Sequence, residues 1–122
     1  MFADPVQWQR QERRTAEFST LDILVNNAAF PRTDQTITTI PADPRQDPFA
    51  TNIVALFYRC KAASPHLKAG APIINTCSVE AVQPEPLLLA YAATKAAVVN
   101  VTKGLAKELR ESGTRGHRRA VS

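Results

Sequence analysis

Three side chains that can donate or accept protons stand close together in the second half of the chain. Ser78 is followed by Tyr91 thirteen positions later, and Lys95 lies four positions beyond that. A four-residue separation puts Tyr91 and Lys95 on one face of a helix. A lysine cation near a tyrosine favours the phenolate, and a serine hydroxyl can donate a hydrogen bond to an oxygen atom. These groups could therefore exchange a proton with an alcohol or carbonyl oxygen while a cofactor carries the hydride.

The elements that must position these side chains alternate between helix and strand. Short apolar runs predict strands at Leu21–Val25 and Pro72–Thr76, each buried on both faces as in a parallel sheet. Helices are predicted over residues 5–18, 48–67 and 88–111. This order predicts an α/β fold with a parallel sheet and right-handed crossovers. Two strands leave two unpaired edges, which suggests a fragment of a larger sheet.

Polar residues follow both predicted strands at their carboxyl ends. Asn26 and Asn27 come after the first strand and Ser78 after the second. Ligands of open α/β sheets bind outside the carboxyl ends of the strands, so these side chains and the pair Tyr91 and Lys95 are expected to converge there. Two alternatives stay open: the asparagines only terminate the strand, and Tyr-x-x-x-Lys is a chance pair exposed on a helix.

Composition and charge exclude several classes of protein. The 122 residues are 44% hydrophobic and 21% charged, which is typical of a globular domain or part of one. No apolar run is long enough to span a membrane and the N-terminus has no apolar leader, so we expect a cytoplasmic protein. Basic residues cluster near both ends, but no aromatic residues alternate with them, so we predict solvated termini and no nucleic-acid partner. The spacing of Cys60 and Cys77 predicts buried free thiols and no metal site.

Four motifs in order resemble those of the short-chain dehydrogenase/reductase family, classical type. The stretch "LDILVNNAAF" resembles the family's Asn-Asn-Ala-Gly strand end, with Ala29 where glycine is usual. The stretch "FATNIVALFYRCKAASPHL" resembles the next helix, whose asparagine is Asn52. "IINTCS" is similar to the strand that delivers the catalytic serine, and "YAATK" matches the Tyr-x-x-x-Lys signature. The resemblance implies that the chain is the central part of a Rossmann-like, doubly wound parallel sheet.

The resemblance also implies roles for four catalytic residues. Tyr91 would be the acid/base, and Lys95 would favour its phenolate and bind the nicotinamide ribose. Ser78 would orient and polarise the substrate oxygen. The backbone of Asn52 would hold a water in a proton relay to Lys95, unless this asparagine only makes a local bond within its helix.

The implied ligands and partners follow from the same resemblance. The cofactor would be NAD or NADP, contacted by Tyr91 and Lys95 and, near the adenosine ribose, by Asn26, Asn27 and Ala28. The substrate would be a small carbonyl compound or alcohol, and no metal is implied. The helices over residues 48–67 and 88–111 resemble those that pair subunits, which implies a homo- or hetero-oligomer.

The sequence departs from the family pattern at both ends. No glycine precedes Gly70, so the Gly-rich turn that receives the cofactor pyrophosphate cannot be read, and neither can the strand that selects NAD or NADP. The stretch "ESGTRGHRRAVS" begins the family pattern and then turns polar, which predicts no strand there. We therefore expect a partial domain, truncated at both ends and marginally stable: a leading helix (1–20), a core (21–112) and a basic tail (113–122).

Two functions of different classes fit this sequence. The first is a short-chain oxidoreductase that interconverts a carbonyl and an alcohol with NAD(P)(H). The second is a catalytically inactive remnant that lacks the Gly-rich loop and at most pairs with an intact relative. Cofactor binding discriminates between the two.

Overall fold

Helices pack against a parallel sheet of three strands. This computed structural model describes residues 13, 17, 19–34, 36–43, 47–111 and 119–121, with the side chains of all of these except 111 and 119–121. The strands are β1 (Leu24–Asn26), β2 (Pro72–Asn75) and β3 (Arg119–Val121), and the helices are α1 (Ala55–Ala63) and α2 (Leu89–Glu111).

Short helical turns connect these elements. A π-helical turn, Ala50–Val54, runs directly into α1. The other short turns are of the 3-10 type, at Ile37–Thr39, Ser64–His66, Val79–Ala81 and Pro86–Leu88. The predicted helix over 48–67 is thus present as a π turn, an α-helix and a final 3-10 turn. Pro65 lies in that last turn, where its ring ends the regular helix.

The strand order places both helices on one face of the sheet. The strands lie in the order β1-β2-β3 and all pair in parallel, with Leu24 opposite Ile73 and Ile73 opposite Ala120. Successive parallel strands are joined by right-handed crossovers. When the strands follow chain order across the sheet, two such crossovers bring α1 and α2 to the same side.

The hydrophobic core lies between this face and the two helices. Ile73 of β2 packs with Leu56 and Cys60 of α1 and with Leu109 of α2, and Leu24 of β1 borders the cluster. The predicted apolar face of α2 is confirmed, because Val98 and Leu109 are buried and Val101 and Leu105 pack against the cluster. The remaining residues of the cluster are Leu21, Leu67 and Ala71.

The α/β fold with a parallel sheet is confirmed, but the expectation that its strands are buried on both faces is wrong. Ile73 is 2% exposed, whereas its neighbour Ile74 is 38% exposed and Val25 is 55% exposed. Both helices cover the other face, which leaves these two side chains in contact with solvent. The first strand also starts later than predicted, since Leu21 forms only an isolated bridge with Leu67.

A third strand lies where we expected none. Residues Arg119–Val121 pair in parallel with Pro72–Ile74, so β2 has neighbours on both sides. The prediction failed because it relied on apolar side chains. An unpaired strand edge offers a row of backbone N–H and C=O groups, and a short segment can satisfy them whatever its side chains. The predicted leading helix lies outside the described residues apart from Arg13 and Glu17, as does the basic tail up to residue 118.

We predict that neighbouring isoleucines of β2 differ sharply in their contribution to stability. Ile73→Ala should lower the free energy of unfolding by about 2–5 kcal/mol, because it leaves a cavity among buried side chains. Ile74→Ala is the matched control and should cost clearly less, since Ile74 faces solvent. Urea denaturation of both variants measures the difference. Equal losses would mean that a second layer covers the Ile74 face.

Candidate active site

Ser78 lies three residues beyond the carboxyl end of β2. It caps the short turn Val79–Ala81, with its Oγ accepting a hydrogen bond from the Glu80 N–H at 3.3 Å. That turn packs against α2. Because the hydroxyl oxygen acts here as an acceptor, its own hydrogen is left to donate to another oxygen atom.

Lys95 is a buried cation at the same end of β2. Its side chain is 3% exposed, and its Nζ donates to the Thr76 carbonyl oxygen at 2.9 Å. Within the described part of the chain it forms no salt bridge with a carboxylate. Burial lowers the pKa of Lys95 from its ordinary value of 10.5, and the nearby Cys77 opposes that shift. An ammonium held by a backbone carbonyl keeps its charge available to neighbouring groups.

Tyr91 lies beside this cation in the first turn of α2. The Lys95 Nζ is 5.7 Å from the centre of the Tyr91 ring, and the tyrosine side chain is half-buried. The two side chains therefore pair on one helix face, as predicted. The alternative was a pair exposed on the helix, but here Lys95 is buried and Tyr91 is half-buried. The turn that Ser78 caps packs on the same helix.

Asn52 connects three segments of this region. It lies in the π turn and is 3% exposed. Its Oδ1 accepts from the Phe30 N–H at 2.7 Å, and its Nδ2 donates to Thr94 Oγ1 at 2.9 Å. The alternative of a local bond within its own helix is therefore wrong. A π turn widens a helix and frees backbone groups from the regular pattern, and such turns are frequent at functional sites.

The asparagines after β1 are divided between the interior and the rim. The Asn26 side chain is buried, donating to Asn75 Oδ1 at 2.8 Å and accepting from Arg59 Nε at 2.9 Å. It faces the helices and not the rim where the resemblance would put a cofactor. Asn27 and Ala28 are exposed on that rim. The part expected of Asn26 in cofactor binding stays a prediction.

A backbone hydrogen bond ties down the loop that follows Ser78. The Asp34 N–H donates to the Leu87 carbonyl oxygen at 2.8 Å, which joins the loop after β1 to the loop before α2. Asp34 is itself buried and forms an ion pair with Arg32 at 2.8 Å.

Sequence reasoning missed several buried polar residues that join α2 to the π turn and to β2. Thr94 and Thr102 of α2 and Asn75 of β2 are buried and hydrogen-bonded to other buried side chains. A signal for the threonines does exist: Thr94, Val98 and Thr102 recur every four residues, so both threonines fall on the apolar face of the helix. No comparable signal marked Asn75 within its apolar run.

The two cysteines differ from each other. Cys60 is a buried free thiol as predicted, and burial raises its pKa. Cys77 is also free but only half-buried, with its Sγ 3.6 Å from the Lys95 carbonyl oxygen. Among the described residues no group of three or more potential metal ligands occurs, and none of the helices found there is long and apolar enough to cross a membrane.

Comparisons with known proteins give this arrangement a context. The sequence profile of the short chain dehydrogenase family matches residues 5–117. Over 107 residues the chain is 39% identical to the uncharacterized oxidoreductase YhdF of Bacillus subtilis, covering 88% of this chain and 37% of the relative. Over 98 residues it is 43% identical to the chloroplastic NADPH-dependent aldehyde reductase 1 of Arabidopsis thaliana, covering 80% of this chain and 34% of that protein. The chain thus spans about a third of the length of these relatives.

A solved structure extends the likeness to the fold. A short-chain dehydrogenase from Burkholderia cenocepacia, in complex with NADP, superposes with a TM-score of 0.80 at 34% identity. The match covers 99% of this chain and 47% of that one. The motifs, the parallel sheet and the family profile agree, and the chain belongs to the short-chain dehydrogenase family of oxidoreductases.

Proposed function

We propose that this chain carries the catalytic residues of a nicotinamide-dependent oxidoreductase that interconverts a carbonyl and an alcohol. The observation that carries the proposal is the buried ammonium of Lys95 beside the Tyr91 ring, which no carboxylate of the described residues pairs with. Burying a charge without an opposite charge costs free energy, so this lysine destabilises the fold unless it serves a function. A cation that stabilises negative charge on a tyrosine gives that cost a purpose.

The polar groups at the carboxyl ends of β1 and β2 fit the ribose and nicotinamide of a dinucleotide. Lys95 uses one donor on Thr76 and has two more for ribose hydroxyls. The exposed residues Asn27 and Ala28 add polar and backbone groups along the rim. When bound, the cofactor would supply or accept the hydride. Neighbouring structures in complex with NADP or NADPH favour the phosphorylated form.

In this proposal each residue acts on the oxygen of the substrate or on the residue that does. In the reducing direction the Tyr91 hydroxyl gives its proton to the carbonyl oxygen as carbon accepts hydride, and the tyrosinate left behind is stabilised by Lys95. Ser78 donates its free hydrogen to the same oxygen. Asn52 holds the first turn of α2 and, through its backbone, a water that returns a proton toward Lys95. Oxidation runs the same transfers in reverse.

The loop around Ser78 supports a substrate with an apolar substituent. Val79, Val82 and Leu87 are all exposed within the loop that follows the serine. Several polar groups of the loop are occupied internally, as in the bond from the Glu85 N–H to Glu80 Oε2 at 2.8 Å. The Arabidopsis relative is named an aldehyde reductase. We therefore propose aldehydes with apolar substituents as the first substrates to test.

We also propose a second copy of this chain or an intact relative as a partner. The outer side of α1 exposes Phe57 and Tyr58, large side chains that bury apolar area when covered. The resemblance assigns this helix and α2 to the surface between subunits. This pairing is compatible with catalysis and with the inactive alternative alike.

The first prediction from this proposal concerns cofactor binding. The purified chain should quench or shift NADPH fluorescence saturably, and Lys95→Ala should weaken binding by about tenfold or more, since a hydrogen bond to a charged group contributes about 1.5–3 kcal/mol. Lys103→Ala is the matched control, an exposed lysine of the same helix, and should bind like the parent. A folded parent that fails to bind NADPH would favour the inactive alternative.

The second prediction concerns the acid/base. Tyr91→Phe should lower kcat for NADPH-dependent aldehyde reduction by about 100-fold to 10,000-fold, because it removes the proton donor. Tyr58→Phe removes a phenol hydroxyl elsewhere and should retain kcat. Steady-state kinetics measure both. A Tyr91→Phe variant as fast as the parent would rule out this residue as the acid/base.

The third prediction concerns the pH dependence of stability. Because burial depresses the pKa of Lys95, the folded chain binds fewer protons than the unfolded chain between that depressed value and 10.5. The parent should therefore gain stability relative to Lys95→Met as the pH rises through this window. Denaturant titrations of both proteins from neutral to alkaline pH measure the difference. Parallel curves would show that folding does not lower the pKa of Lys95.

A further inference from the structure

Two buried threonines of α2 make the same pair of hydrogen bonds at different places. Thr94 Oγ1 donates to the Tyr91 carbonyl oxygen at 2.6 Å and accepts from Asn52 Nδ2 at 2.9 Å. Thr102 Oγ1 donates to the Val98 carbonyl oxygen at 2.7 Å and accepts from Asn75 Nδ2 at 3.0 Å. Each hydroxyl thus joins a buried asparagine to the backbone one turn earlier in the helix. Only the first pair reaches Tyr91.

The bonds of Thr94 belong to a longer chain. Asn52 accepts from the Phe30 N–H through Oδ1 and donates to Thr94 through Nδ2. The series therefore runs from the loop after β1, through the π turn, to the first turn of α2. Every link is a direct hydrogen bond of 2.9 Å or less. Asn52 in this way links the loop that carries Asn27 and Ala28 to the helix that carries Tyr91.

In this series of hydrogen bonds, an apolar side chain of the same shape cannot replace the hydroxyl of Thr94. When a helical threonine donates to an earlier carbonyl, its side chain takes one rotamer, and its lone pair is then aimed at a fixed point. Asn52 Nδ2 occupies that point. Valine has nearly the same shape but cannot accept, so it would leave a buried amide donor without a partner. Asn52 would then have to turn, and its bond to Phe30 would be lost.

We propose that Thr94 is a positioning residue for Tyr91: its hydroxyl fixes the first turn of α2 against Asn52 and so sets where the phenol meets the substrate oxygen. This inference rests on the proposed function, in which Tyr91 is the acid/base. Proton transfer needs the donor within hydrogen-bond reach of the oxygen. A shift of about 1 Å at a reacting group can cost about 100-fold in rate. A residue that never touches the substrate can therefore control turnover.

The experiment compares Thr94→Val with Thr102→Val and Thr94→Ser in the full chain. Both valine variants lose one matched pair of buried hydrogen bonds, so both should be destabilised to a similar extent in urea. Only Thr94→Val should lose kcat for NADPH-dependent aldehyde reduction, by about 100-fold with little change in KM. Thr94→Ser keeps the hydroxyl and should stay within a few-fold of the parent. Equal kcat losses in the two valine variants would overturn the proposal.

A second readout does not depend on activity. The bond to Asn52 should protect the Phe30 amide from hydrogen exchange, so Thr94→Val should speed its exchange, while Thr102→Val of similar stability should not. Unchanged protection of Phe30 in Thr94→Val would overturn the link. If the parent shows no turnover, the proposed function fails, and the exchange of Phe30 alone decides whether Thr94 sets the position of Asn52.

Discussion

The hydrogen bond between the Lys95 ammonium and the Thr76 carbonyl oxygen is the interaction on which this site depends. A buried ammonium loses its hydration, and the loss lowers its pKa. The compensating acceptor has to come from backbone that is not already used in the sheet. β2 ends at Asn75, so the carbonyl of Thr76 is the first one past the strand. The helix that carries Lys95 must begin near that point, and with it Tyr91 and the turn capped by Ser78.

The strand ends are held in register by a second set of buried polar contacts. Asn26 and Asn75 occupy neighbouring positions on the face covered by the helices, and they are bonded to each other at 2.8 Å. Asn75 continues the contact to Thr102 of α2 at 3.0 Å, and Asn26 accepts from Arg59 of the α1 side. Buried amides are tolerable because their polar atoms find partners. Their directionality fixes the strands and α2 relative to one another, which apolar packing alone does less strictly.

The sequence was sufficient for what depends on local pattern and insufficient for what depends on partners. Periodicity and capping signals found β2, α2 and the helical segment made of the π turn, α1 and its final 3-10 turn to within a few residues, and the motif spacing predicted that Tyr91 and Lys95 share a helix face. The failures share a cause. Val25 and Ile74 look like core residues in an apolar run, and only the placement of both helices on one face shows that they are exposed. β3 is held by backbone pairing. None of these partners can be read from a short segment.

The site is assembled with neutral hydrogen-bond partners, and this choice has an electrostatic consequence. Lys95 is held by a carbonyl, Thr94 by a carbonyl and an amide, and Ser78 by a backbone N–H. A carboxylate in place of the Thr76 carbonyl would hold the ammonium more tightly, but it would also cancel most of its field at the Tyr91 ring 5.7 Å away. Neutral partners fix the geometry without neutralising the positive charge of Lys95. In the proposed mechanism this charge lies beside the tyrosine that would become a tyrosinate, which would offset the cost of burying the lysine.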